Sequence, residues 1–169
     1  MSKIVNKPLT SDNEKVNINR NAIEHRATWM GLMMDEGKKA GVDMEPIARA
    51  AVGRCGCFHG LNAYMKNMKK EEDLLAFADV FSSELTLKSF DMEIIERTKD
   101  KFLIHFHYCP LVSAWQKQGF SDEDIDLYCD IAMDGDRKIA SVFETFDFKL
   151  GKTIAQGNPV CEVCFKKKK

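Results

Sequence analysis

The stretch that decides the fold reads Phe90-Asp91-Met92-Glu93-Ile94-Ile95-Glu96-Arg97-Thr98-Lys99-Asp100-Lys101-Phe102-Leu103-Ile104-His105-Phe106-His107-Tyr108-Cys109. Within residues 86–97, Phe90, Met92 and Ile94 alternate with Asp91 and Glu93, the period of a strand buried on one face. Thr98, Lys99 and Asp100 make a short polar turn, so residues 101–108 return antiparallel as the second arm of a hairpin. In that arm Phe102, Ile104, Phe106 and Tyr108 share an apolar face. Leu103, His105, His107 and Cys109 fall on the other, just before Pro110, which cannot continue the interior of a sheet.

A second alternating run, 142–149, is followed by Gly151 and the turn Gln156-Gly157-Asn158-Pro159. A last strand over 160–166 completes another hairpin. Between the hairpins the pattern predicts two helices. One covers 110–117 and stops at Gly119; the other opens at Ser121, with Asp124 three residues on, and runs to about 139. Its buried stripe is Ile125, Tyr128, Cys129, Ala132 and Met133. Upstream, Val16, Ile23, Ala27, Met30, Met34 and Ala40 recur at helical spacing over 14–40, with Gly41 as the stop. Further helices are expected over 43–52, 61–69 and 71–82, with residues 53–60 forming a glycine-rich turn. The expected fold is α+β: N-terminal helices packed on a four-stranded antiparallel sheet, with two helices inserted between the hairpins. Residues 1–12 read as a flexible arm, 13–166 as a single domain and 167–169 as a lysine tail.

Charge narrows the function classes. Twenty-five Lys and Arg against 26 Asp and Glu leave a net charge of −1, with no basic surplus to neutralise phosphates, so no nucleic acid partner is expected. No apolar run approaches the roughly 18 residues of a membrane span, and the start lacks a signal-peptide pattern. We therefore expect a cytoplasmic protein without a membrane partner. In a reducing compartment the six cysteines read as buried, catalytic or metal-binding rather than disulfide-bonded. The first helix carries more methionine than one small domain needs, which points to a homo-oligomer formed through the N-terminal helices.

His105, His107 and Cys109 are the first candidates for chemistry. A thiolate is a strong nucleophile that an imidazole can activate. The same side chains could hold a metal, or simply form the less buried face of a strand. Cys129, alone, belongs to the core stripe of its helix. Asp134 and Asp136 sit where the C-terminus of that helix is expected, so their charge opposes the helix dipole without local reason. Cys161 and Cys164 have zinc-knuckle spacing, but three residues apart on a strand they face opposite ways. Cys55, Cys57 and His59 make a better local cluster, because the glycines around them permit a wrapping loop.

The second half resembles the L-2-amino-thiazoline-4-carboxylic acid hydrolase family. The matching features are the strand ending His107-Tyr108-Cys109-Pro110, the helix with Tyr128-Cys129-Asp130, then Thr153-Ile154-Ala155-Gln156-Gly157-Asn158 and Cys161-Glu162-Val163. Asn158 departs from the Asp usual there. The resemblance implies a hydrolase acting on the non-peptide C–N bonds of a small cyclic amidine-like substrate, opening a 2-aminothiazoline carboxylate to N-carbamoyl-cysteine. It implies that Cys109 attacks or holds the attacking water, that His107 serves as acid and base, and that Cys129 and Cys161 converge on Cys109. Asp130 would orient an imidazole, Arg54 or Arg137 would bind the carboxylate, and Asn158 would line the site. No cofactor is required on that reading. The rival is a non-catalytic ligand- or metal-binding sensor holding zinc or iron on Cys109, Cys129 and Cys161.

Overall fold

The computed structural model describes residues 2–10 and 12–168. The chain folds as an α+β domain. Its elements, in order, are α1 (Glu14–Lys39), α2 (Glu45–His59), α3 (Leu74–Phe81), α4 (Glu84–Ser89), β1 (Met92–Arg97), β2 (Lys101–Phe106), α5 (Pro110–Lys117), α6 (Asp122–Ala132), α7 (Asp134–Ser141), β3 (Phe146–Leu150) and β4 (Cys161–Lys167). The sheet order is β1-β2-β4-β3 and every pairing is antiparallel. The two expected hairpins thus join through β2 and β4, with Phe106 opposite Cys161 at one end and Lys101 opposite Lys166 at the other.

One sheet face is the core. Phe102, Ile104, Val163 and Phe165 are fully buried there, meeting Phe77 and Phe81 of α3. The Phe77 and Phe165 rings stand 4.7 Å apart and Phe143 meets Phe77 edge-on at 5.5 Å, a packing that adds to the plain burial of these rings. Leu103, His105, Glu93 and Glu162 lie on the other face, so the sheet is covered on one side only, as antiparallel sheets allow.

The helices follow from local chemistry. Asn13 caps α1 by accepting the Val16 amide at 3.1 Å, and Gly41 leaves it with φ +71°. Val16, Ile23, Ala27 and Met34 form its buried stripe together with Arg20 and Gly31. At Gly31 a side chain would meet Trp115 and Phe120 within about 3 Å, which brings α1 against α5. There the Trp115 indole donates to the Ala27 carbonyl at 2.9 Å. Ser121 caps α6 through the Asp124 amide at 3.1 Å, as its spacing predicts. Ile18, Trp29 and Met33 of α1, with Ile47 and Phe58 of α2, stay exposed. No helix among the described residues is long and apolar enough to cross a membrane.

The structure corrects several boundaries. Residues 53–60 are not a turn: α2 continues to His59 and passes into a π-helical turn over Gly60–Tyr64. The glycines serve packing. A Cβ on Gly56 would stand 2.2 Å from the Gly135 carbonyl oxygen, so only bare backbones let α2 and α7 approach this closely. The first strand begins at Met92 rather than 86, because Ser83 caps α4 and Lys88 pairs with Glu84 across one turn. The long helix expected to reach 139 breaks at Met133 into α6 and α7. That break changes the meaning of Asp134 and Asp136: they open α7, where acidic charge suits the dipole.

The N-terminal stretch expected to be flexible is docked where it is described. Ile4 is buried, Ser2 and Lys3 hydrogen-bond Asp122, and Leu9 and Thr10 hydrogen-bond Asp91. Asp91 in turn pairs at 3.0 Å with Arg20, a buried arginine that also donates to the Thr10, Lys88 and Ser89 carbonyls and lies over the Tyr108 ring. The expected lysine tail begins inside β4, which reaches Lys167; Lys169 lies outside the described residues.

Candidate active site

The site is built around the place where β2 ends. After Phe106, the His107 and Tyr108 amides donate to the Asp91 and Phe90 carbonyls, and the chain leaves the sheet. Cys109 follows in an extended conformation (φ −130°, ψ 111°) as the N-cap of α5, with Pro110 at the first helical position. Proline dictates both features, since it disfavours helix at the preceding residue and starts helices well. Asn6 holds this corner from outside. Its side chain accepts from the Cys109 amide and donates to the Cys109 carbonyl, both at 2.9 Å.

The turn corrects the row expected on one strand face. Alternation stops at Phe106, so Cys109 swings into the core, 6% exposed. His107 stays outside, with Nε2 3.1 Å from Glu93 Oε2. The thiol and the imidazole expected to work together are therefore held by different neighbours.

Two other thiols do come to Cys109. Cys161 opens β4 opposite Phe106, the last residue of β2, so the sheet register itself carries it to that corner. Cys129 arrives from the buried stripe of α6. Burial pushes the Cys161 thiol up to about 12, nearby Cys109 adds to the effect, and the Ile154 amide, donating to its sulfur at 3.2 Å, opposes it. Cys129 is raised well above the usual thiol range, first by burial and then by Cys109 and Cys161. Cys109 is raised too, chiefly by burial; the Val112 and Leu111 amides at the start of α5 and the charge of Arg26 pull it back, and Asp136 adds to the rise. Three neutral thiols thus line one apolar corner at neutral pH. Among the described residues no group of three His, Cys, Asp or Glu side chains stands together in a way that would hold a metal.

Of the polar members of the corner, the sequence pointed to Asp136 alone. Asp136, half-buried in the first turn of α7, has its carboxyl pushed up to about 6 by burial, against the pull of Arg26, its own amide and Arg137. Tyr64, at the end of the π turn, stacks on Phe77 at 5.1 Å. Its hydroxyl is raised by burial and by the charge of Asp136. Cys109, Arg26 and Asp136 therefore stand within electrostatic reach of one another, and Tyr64 within reach of Asp136. Asp136 was visible only as a carboxylate without a local reason. Arg26 and Tyr64 carry no sequence signal, because only the packing of α1 and α2 brings them here.

The remaining expected residues lie elsewhere. Asp130 orients no imidazole: it pairs with Arg137 at 2.5 Å and Arg49 at 2.8 Å. Burial works to raise its carboxyl, and those two guanidinium groups outweigh it and hold it below the usual range. Arg137 is occupied by Asp130 and Asp134, so its fork is closed to a substrate. Arg54 is exposed on α2. Asn158 donates from its side chain and its amide to the Thr153 carbonyl at 3.1 and 3.2 Å, which closes the turn before β4. Asn158 and His107 share a surface cleft of about 360 Å³ with Val5, Lys7 and Leu9 of the N-terminal stretch. None of the three thiols lines that cleft. The cluster expected at residues 55–59 is dispersed, because on a continuous helix Cys55 and His59 are exposed and Cys57 is half-buried. Cys164 points away from Cys161 across β4, opposite Leu103 and Lys149.

Comparison with known proteins gives this arrangement a family. No curated protein matches the chain. Among solved structures, a trafficking protein particle complex subunit 3 from Naegleria fowleri, covalently bound to palmitic acid, is similar at 14% identity and a TM-score of 0.41, over 94% of this chain and 85% of that one. The model of the L-2-amino-thiazoline-4-carboxylic acid hydrolase family matches residues 20–165. That span takes in Arg26, Tyr64, Cys109, Cys129, Asp136 and Cys161, and on its extent the chain belongs to the L-2-amino-thiazoline-4-carboxylic acid hydrolase family.

Proposed function

We propose that this protein is a hydrolase that opens the ring of a small cyclic amidine-like carboxylate of the 2-aminothiazoline type, with Cys109 as nucleophile and Asp136 as the group that takes and returns the proton. What supports the reading is a thiol at the N-terminus of α5 and, within electrostatic reach of it, the half-buried Asp136 carboxyl, pushed up to about 6 by burial, which suits proton transfer near neutrality. Membership of the family supports this substrate class.

The chemistry follows from the parts. The resting thiol is neutral, so its proton passes to Asp136 as Sγ adds to the ring carbon held between nitrogen and sulfur. The Leu111 and Val112 amides and the positive end of α5 favour the charge that builds on sulfur. The ring C–S bond breaks and the departing sulfur takes the proton back from Asp136, leaving an isothiourea on Cys109. Water then adds to the same carbon, the C–Sγ bond breaks, and the proton lost by that water returns to Cys109. One water is consumed overall, and the product is a carbamoylated amino acid carrying a free thiol. Cys129 and Cys161, both raised by burial, stay neutral and add no charge near Cys109. His107, paired with Glu93 on the outer side, has no part in this scheme.

The test is thiol release from L-2-amino-thiazoline-4-carboxylate by the purified protein. We expect one new thiol per substrate consumed. Cys109→Ser should lower kcat by about a thousandfold or more, as loss of a nucleophile does, whereas His107→Gln should stay within about twofold of the parent. Turnover by Cys109→Ser at the parent rate would overturn the assignment.

A further inference from the structure

We infer that α1 is the dimerisation helix of this protein: its outward apolar stripe packs against the same stripe of a second copy, the two helices running antiparallel. The inference is independent of the ring-opening reading.

α1 is apolar on two opposite sides. Val16, Ile23, Ala27 and Met34 face the core. A helix turns about 100° per residue, which places Ile18, Ala22, His25, Trp29 and Leu32 roughly half a turn round from them, on the solvent side. Ile18 and Trp29 are 62% exposed and Leu32 48%, with Met33 beside them at 54%. Those five residues follow one another at alternating steps of four and three, the spacing of a seam between two packed helices. A continuous stripe of this kind differs from the single exposed apolar residues that any surface carries.

Trp29 is the anchor. Its indole donates to His25 Nε2 at 2.9 Å, and the two rings meet edge-on with centroids 6.0 Å apart. The ring stands in solvent yet is held in place, so little rotamer freedom remains for it to lose on binding. A ring of that size needs a recess in its partner, and Ala22, two turns earlier on the same stripe, supplies one.

Charge at the ends of the stripe selects a second copy, antiparallel to the first. One further step at the same spacing reaches Lys15 at one end and Glu36 at the other, both exposed. An antiparallel pair sets Lys15 of each copy beside Glu36 of the other, and two-fold symmetry makes that contact twice. A parallel pair would set like charges together. The antiparallel pair also opposes the two helix dipoles. A two-fold axis near His25 brings Trp29 of each copy over Ala22 of the other. With a net charge of −1 per chain, the copies repel each other little. One helix from each copy makes a small interface, so the dimer forms at micromolar rather than nanomolar concentration.

Sedimentation equilibrium of the full-length protein over about 1–500 µM, at low salt, reads the association. We expect a monomer–dimer equilibrium. Trp29→Glu should weaken it about thirtyfold or more, as loss of a central aromatic anchor does. Its circular dichroism should match the parent's, because the ring lies outside the core. Phe58→Glu, at an equally exposed position on α2, should leave the equilibrium unchanged. Lys15→Glu and Glu36→Lys should each weaken it about fivefold, and the two together should restore it to within about twofold of the parent. Only an antiparallel pair of identical stripes predicts that restoration. A monomer throughout the range overturns the proposal, whatever else the stripe binds. So does a dimer that Trp29→Glu leaves intact or that Phe58→Glu abolishes, and so does a double charge variant that associates no more tightly than either single one.

Discussion

Asp136→Asn should make the protein more stable and inactive. The carboxyl of Asp136 moves from its ordinary 3.8 to about 6 on folding, chiefly through burial. Ionising it in the folded protein therefore costs about 3 kcal/mol more than ionising it in the unfolded chain. A raised folded-state pKa contributes stability that is complete below about pH 3.8, declines between there and about 6, and is absent above. Asparagine has nearly the same shape and no charge, so it avoids that penalty at every pH. The substitution should be neutral below about pH 3.8, gain roughly half of the 3 kcal/mol at pH 5, and reach the full value, about 3 kcal/mol, from pH 7 upward. For a chain of this size that corresponds to a Tm about 6–12 °C higher. Urea denaturation of both proteins at four values of pH between 3.5 and 8 measures the curve. Thiol release at pH 7.5 should meanwhile fall by about a hundredfold or more, the loss expected when a positioned proton acceptor is removed. A gain that persists at pH 3.5, or no gain at pH 7.5, would refute the reasoning, since either means that the Asp136 carboxylate is satisfied in the fold. Stability gained where activity is lost is the ordinary sign of a group kept strained for function.

Two further predictions concern how the corner is built. Asn6→Ala removes both 2.9 Å hydrogen bonds from the Cys109 backbone. It should cost about 1–3 kcal/mol and speed hydrogen exchange at the Cys109 amide; unchanged exchange there would show that the N-terminal stretch does not hold this turn. Gly56→Ala adds a methyl 2.2 Å from the Gly135 carbonyl oxygen. The gain in helix propensity is about 1 kcal/mol, but forcing α2 from α7 should outweigh it and leave the variant about 2 kcal/mol less stable by denaturant titration. A variant as stable as its parent would mean that the two helices separate freely.

What the sequence determined by itself was mostly periodic or local. Alternation in residues 90–106 announced the hairpin and its apolar face of Phe102, Ile104 and Phe106, because a strand sorts side chains by parity alone. Capping by Ser121 and the stop at Gly41 were legible because both are settled within a few residues. The order of the cysteine motifs pointed to the corner where Cys109, Cys129 and Cys161 meet. Parity misled at the strand end: Pro110 and the clamp of Asn6 turn Cys109 inward and part it from His107, and Asn6 lies 103 residues away. The glycines at 53, 56 and 60 looked like a loop because glycine disfavours helices; only the later segment lying against them, with Lys138 at Gly53, the Gly135 backbone at Gly56 and Val142 at Gly60, makes helix the better choice. Arg26 and Tyr64 escaped the sequence, and Asp136 showed there only as an unexplained carboxylate, for one reason. A carboxylate acquires an unusual pKa, and its distant neighbours, from what the rest of the chain places around it, and that arrangement exists only once α1, α2, α5 and α7 have packed.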